Sequence, residues 1–237
     1  MKQSSKPLCL IYFKRFRKDK PLVLPFKKQV KSWQKANRKM GWSIQKFEFD
    51  RLIEPEHLNK KDFDEGFIGS ILCYGFGDDG SAHSDSVLSG KLAWDYVIRK
   101  WNVKIWQCRY IDFDKPENIR LRPKAPKRPK GFYTRKFKPG NHRIIKTSSQ
   151  FRKMLKNTTG CGPEGIQLLT ITHPHFVRLM NQRKMSFMTF ADYDVALLGF
   201  YDFYDAVQMF CSMDTLGLGI GNLDKNYPLF GISEIRL

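Results

Sequence analysis

IQLLTITHPHFVRLMNQRKMSFMTFADYDVALLGFYDFYDAVQMFCSM, residues 166–213, is the stretch whose reading decides the fold class. Residues 166–173 are an apolar, β-branched run that reads as a strand. Residues 174–184 follow with helical spacing, and Pro174 stands at a first helical position, where its missing N–H is not needed. Residues 185–194 alternate as a strand again, and 200–213 read as a second helix. Strand–helix alternation of this kind points to parallel strands joined by crossover helices.

The rest of the chain extends the pattern in both directions. Residues 7–13, 42–50, 67–77 and 104–114 read as strands, as does the C-terminal LFGISEIRL. Residues 25–40 predict a helix with Phe26, Val30, Trp33 and Met40 on one face, stopped by Gly41. A polar, acidic helical stretch is expected up to Glu65. Another helix is expected from Ser84 or Asp85, both good caps, through Leu88, Leu92 and Val97, and one more over 148–157. The expectation is an α/β fold over residues 1–237 as a single domain: a mostly parallel open sheet with flanking helices and a basic, proline-rich excursion near 115–147.

Charge is the strongest compositional signal. The chain of 237 residues carries a formal net charge of +19, and the excess lies in blocks. Residues 1–47 hold 14 Lys/Arg against one acid and residues 100–156 hold 18 against three, whereas 48–99 and 157–237 are mildly acidic. Blocks of one sign imply a surface with a charged partner, where solubility alone would intersperse both signs. Between residues 118 and 163 there are 14 Lys/Arg and no acid. The prolines at 123, 126, 129 and 139 favour an extended, solvated backbone there.

Such a ribbon suits DNA or RNA. Arg120, Arg122, Lys124, Lys127, Arg128, Lys130, Arg135, Lys136 and Lys138 are the candidate phosphate contacts, with Phe132 and Tyr133 positioned to stack on unpaired bases. An acidic protein or an anionic lipid surface is the alternative partner. The helix at 25–40 is basic and amphipathic, as membrane-surface helices are, but core packing explains its narrow apolar face more simply.

Chemistry is sought at the carboxyl ends of strands, where open α/β sheets bind ligands. His173 and His175, Asp112 and Asp114, and Asp192 and Asp194 stand there as pairs two residues apart, and in a strand such residues share a face. Asp192 and Asp194 are the candidate ligands for Mg²⁺ or Mn²⁺, with the histidines and Asp112 and Asp114 in catalytic roles of a metal-dependent nuclease or phosphoryl-transfer enzyme. Turns and helix starts also favour these residue types. Gly75-Phe-Gly77-Asp-Asp-Gly80 has dinucleotide-loop spacing, but its two aspartates would face a pyrophosphate with like charge, so it reads as a turn. The cluster Gly217, Gly219 and Gly221 reads as a second turn or as a place where backbone approaches a ligand closely, and no G-x-S-x-G is present.

Five scattered cysteines without a C-x-x-C pair suit reduced thiols. No apolar run reaches the roughly 20 residues a spanning helix needs. The N-terminal apolar run closes on arginine and lysine without a small-residue cleavage site, so a cytoplasmic protein is expected.

Overall fold

The computed structural model describes residues 23–76, 85–115, 118–122, 125, 128–138, 159–181, 187–196, 203–212, 215–222, 230–232 and 234–236. In chain order the helices are α1 (Phe26–Met40), α2 (Lys46–Asp50), α3 (Lys60–Asp64), α4 (Asp85–Lys100), α5 (Pro163–Gln167), which runs on as a π-helical turn (Leu168–Thr172), and α6 (His175–Asn181). The strands are β1 (Gly69–Gly75), β2 (Lys104–Gln107), β3 (Ile119–Leu121), β4 (Gly131–Lys138), β5 (Thr159–Gly160), β6 (Phe187–Ala196), β7 (Phe203–Ser212), β8 (Thr215–Asn222), β9 (Phe230–Ile232) and β10 (Glu234–Arg236). The strand expected at 7–13 and the helix expected at 148–157 lie outside the described residues.

The mostly parallel open sheet is not what forms. One sheet, ordered β1-β4-β10-β5, is antiparallel throughout. The other is ordered β2-β8-β7-β6-β3, with β9 also beside β6, and only its β2–β8 and β6–β9 pairs are parallel. The reason lies in two misread runs. Residues 200–213 contain β7, whose Val207, Met209 and Cys211 point into the core while Phe210 on the alternate face is half-buried. That is period two, and it makes an antiparallel meander with β6 and β8. Residues 166–172 are helical and buried on every side, and periodicity cannot separate such a run from a buried strand.

Two described parts of the basic segment join the sheets. Its residues 119–121 and 131–138 are β3 and β4, and β4 lies between β1 and β10. Residues 42–50, expected as a strand, contain α2. There the Gln45 N–H donates to Glu48 Oε1 at 2.9 Å in a capping box that starts the helix. β2 ends at Gln107, before the turns that carry Asp112 and Asp114. Gly217 and Gly219 stand inside β8 instead of a turn.

α1 follows its expected range, and Gly41 ends it at φ 69°, with its N–H donating to the Asn37 carbonyl. Its buried face seals the free edge of β1. Gln29 donates to the Ser70 carbonyl at 2.9 Å and accepts from the Leu72 N–H at 2.7 Å, while Trp33 Nε1 donates to the Leu72 carbonyl at 3.0 Å. Further along, Gln167 accepts from the Tyr74 N–H and donates to the Tyr74 carbonyl. Side-chain amides thus take the place of a neighbouring strand, which removes a pairing-competent edge. Gly75 shows why no side chain is tolerated at the end of that strand: a Cβ would stand 1.9 Å from the Pro129 carbonyl oxygen. The other glycines of the dinucleotide-like motif, Gly77 and Gly80, lie outside the described residues.

The core is a single apolar cluster that includes Trp33, Ile71, Trp94, Ile166, Phe176, Phe190 and Tyr193. Residues 161–173 run through it, all buried, packed by β1, β6, α1 and α4. This central helical segment carries the first acid after the acid-free stretch, Glu164, into the interior. Among the described residues no helix is long and apolar enough to cross a membrane.

Candidate functional site

Asp192 and Asp194 are not at a strand end. They sit inside β6, at a wide bulge where four residues, 191–194, stand against one, Ala206, between the pairs Phe190–Val207 and Val195–Asp205. The bulge frees the Asp192 N–H to donate to the Cys161 carbonyl at 3.0 Å and turns its carboxylate inward. On the other side of β6, β3 pairs antiparallel with Arg120 directly opposite Asp194. The Arg122 N–H donates to the Asp192 carbonyl, so the two arginines face the two aspartates across the strands.

The ion pairs follow from that register. Arg122 Nε donates to Asp192 Oδ1 at 2.8 Å, and Arg120 Nε lies 4.0 Å from Asp194 Oδ2. Arg128 closes the network. Its Nε donates to Glu164 Oε1 at 2.7 Å and its Nη2 to Asp192 Oδ2 at 2.7 Å. Glu164 also accepts from the Tyr133 hydroxyl at 3.1 Å and the Gly162 N–H at 3.2 Å. Glu164 and Asp192 are fully buried, and the Arg128 side chain is 2% exposed. Burial alone would raise the Glu164 pKa, but Arg128 beside it holds the carboxyl below its ordinary value. Burial likewise opposes charge on Arg128, and Glu164 with Asp192 more than restores it. Desolvation of its hydroxyl, with Glu164 beside it, pushes the pKa of the half-buried Tyr133 up.

Both Asp192 oxygens are thus hydrogen-bonded to guanidinium groups. Two positive and two negative groups, Arg122, Arg128, Asp192 and Glu164, balance, with all but the partly exposed Arg122 buried. This network does the work of a structural clamp between β3, the bulge of β6 and the start of α5.

The other sequence-predicted residues stand apart from it. Asp112 Oδ1 accepts from the Asp114 N–H at 3.0 Å in a turn after β2, and the two carboxylates meet Lys115 and Lys91, each at 3.5 Å. His173 follows the π-helical turn. Its Nε2 accepts from the Leu24 N–H at 2.9 Å, which leaves the proton on Nδ1 for the Thr172 hydroxyl oxygen at 2.8 Å. Its ring stacks on Phe176, and His175 lies at its side with ring centroids 5.6 Å apart. Among the described residues no three His, Cys, Asp or Glu side chains converge as a metal site.

His173 is a pH-dependent structural element. Burial, with a smaller contribution from His175, lowers its pKa from 6.5 to about 3. Below pH 6.5 the unfolded chain takes up a proton there and the folded chain does not, so stability falls as pH falls towards 3. Denaturant unfolding over this window is expected to lose up to about 1.4 kcal/mol per pH unit from this residue. His173→Gln should flatten that slope, and an equal slope in both proteins would contradict the assignment.

The phosphate contacts expected in the basic segment are largely engaged within the fold. Arg122 and Arg128 belong to the network, Lys136 Nζ lies 2.8 Å from Asp62, and Arg135 lies over the Tyr133 ring at 4.9 Å. Lys138 Nζ is 5.9 Å from the Phe67 ring centroid, Lys130 is exposed, and Lys124 and Lys127 lie outside the described residues. Phe132 packs edge-on against Trp33 and Tyr74 at 5.8 and 4.8 Å, so its ring serves the core.

α1 carries a dense group of cations that face water. Lys27, Lys28, Lys31, Lys35, Arg38 and Lys39 are all exposed, and among the described residues none has an ion-pair partner. Lys27, Lys31, Lys35 and Lys39 form one row at four-residue spacing, about 6 Å per step along the axis. Like charges so spaced each cost a helix about 0.2–0.5 kcal/mol. The first turn carries Lys27 and Lys28 and no acid, against the preference of a helix N-terminus for negative charge. The opposite face is committed to the core, with Trp33 and Ala36 fully buried.

No known protein family matches the chain, and neither a curated protein nor a solved structure does.

Proposed function

We propose that the protein binds nucleic acid through sequence-independent phosphate contacts, and that the exposed face of α1 supplies the main grip among the described residues. The observation that carries this reading is the row of exposed cations, without ion-pair partners among the described residues, on a helix whose other face is fixed in the core. A polyanion laid along the row relieves the repulsion that the helix otherwise bears, and it does so without base-specific contacts. The apolar side of α1 is occupied by β1 and the π-helical turn, so the helix has no free face to insert into a bilayer.

Asp192, expected as a metal ligand, and His173, expected in a catalytic role, both have partners within the fold. The Asp192 oxygens are held by arginines, and His173 uses both ring nitrogens within the fold.

The test is fluorescence anisotropy with labelled single-stranded and duplex DNA and RNA across a salt series. If about four to six phosphates of duplex DNA are neutralised, log K falls against log salt with a slope of about −4 to −5. Weak binding at every salt concentration, or equally good competition by an acidic protein of similar charge, would overturn the proposal.

A further inference from the structure

β2 and β7 hold an aromatic pair, Trp106 and Phe210, whose rings meet across β8. Trp106 is 48% exposed although it lies within a strand, and Phe210 beside it is half-buried. Their ring centroids are 5.6 Å apart. Both lie over β8 where it has no side chains. A Cβ at Gly217 would meet Phe210 Cζ at 2.2 Å, and one at Gly219 would lie 3.3 Å from Phe210 and 3.4 Å from Trp106. Gly217 stands in register with both Trp106 and Phe210, and with Gly219 two residues further along β8 it lets the rings lie down on bare backbone. One side of the Trp106 ring is thereby supported while much of its surface stays open to water.

The surrounding charge selects the occupant. Residues 96–111 contain Arg99, Lys100, Lys104 and Arg109 and no acid, and all four cations are exposed. Lys104 stands two residues before Trp106 in the same strand, which puts both on one face of the sheet.

We propose that Trp106, backed by Phe210, is a stacking platform for an unpaired base of a nucleic-acid strand whose phosphates are held by the cations of residues 99–109. This rests on the phosphate-binding reading and deepens it: the protein prefers single-stranded segments. An aromatic face takes any base, so the preference is for unpaired structure and carries no sequence code.

The experiment compares Trp106→Leu, which keeps an apolar cover over Gly219 but removes the π face, with Trp106→Phe, which keeps it. Each is titrated with a labelled oligothymidylate and with a labelled duplex of equal length, after thermal melts show both variants folded. Stacking predicts that Trp106→Leu weakens single-strand binding about 5- to 150-fold, leaves duplex binding unchanged and is largely rescued in Trp106→Phe. Unchanged single-strand affinity, or an equal loss for both probes, overturns the platform while leaving phosphate binding in place. A wild-type protein that binds neither probe overturns both. Concentration-dependent dimerisation abolished by Trp106→Leu, without an effect on single-strand affinity, would assign the face to a second copy of the chain instead.

Discussion

Glu164→Ala is expected to destabilise the protein by about 3–5 kcal/mol, the cost of breaking a buried ion pair from one side. The carboxylate is fully buried and receives Arg128, the Tyr133 hydroxyl and the Gly162 N–H. Its removal leaves Arg122 and Arg128 sharing Asp192 alone, with an unbalanced positive charge around the buried Arg128. Glu164→Gln keeps the shape and one acceptor oxygen but not the charge, so its loss should fall between those of wild type and Glu164→Ala. The pH dependence has a definite sign. The Glu164 pKa is lowered in the folded state, so its stabilisation is present above the ordinary carboxylate value of 4.5 and is lost as pH falls below it. The difference between wild type and Glu164→Ala should therefore shrink in acid. Urea unfolding measures all three proteins, and a loss below about 1 kcal/mol at neutral pH would mean that the network does not clamp the fold.

Replacing the six cations of α1 by glutamine is expected to have the largest effect on binding. If all six neutralise phosphates of a duplex, the salt slope flattens by about 5 units. The variant should be at least as stable as wild type, because the self-repelling row and the unfavourable charges of the first turn are gone. Lost affinity with an undiminished melting temperature separates a binding role from a folding one. An unchanged salt slope would remove α1 from the interface.

The pattern of the sequence reveals the elements whose local signals agree and misleads where they conflict. α1 is legible because apolar spacing, proline entry and the Gly41 stop coincide, and β1, α4 and β6 are similarly plain. β7 is obscured because aromatic and apolar residues fall at spacings that suit both periods. Its alternation Val207-Gln208-Met209-Phe210-Cys211 is the feature that favoured a strand. The segment from α5 into the π-helical turn is apolar throughout, but Gly162-Pro163-Glu164 before it is a helix-entry signal.

The charged motifs are the more instructive case. R-x-R at 120–122 and D-x-D at 192–194 look like a phosphate grip and a metal site when read separately. Read as strands they are complementary, and facing arginines and aspartates stabilise a strand pair. Glu164 carries no motif of its own; its signal is being the first acid after a long cationic stretch, directly behind a proline.

Acetylation footprinting of lysines, read by mass spectrometry with and without a bound oligonucleotide, tests most directly whether α1 meets the polyanion. Binding through α1 predicts strong protection of Lys27, Lys28, Lys31, Lys35 and Lys39, with Lys136, already paired to Asp62, unchanged. Unprotected α1 lysines in a saturated complex would contradict it.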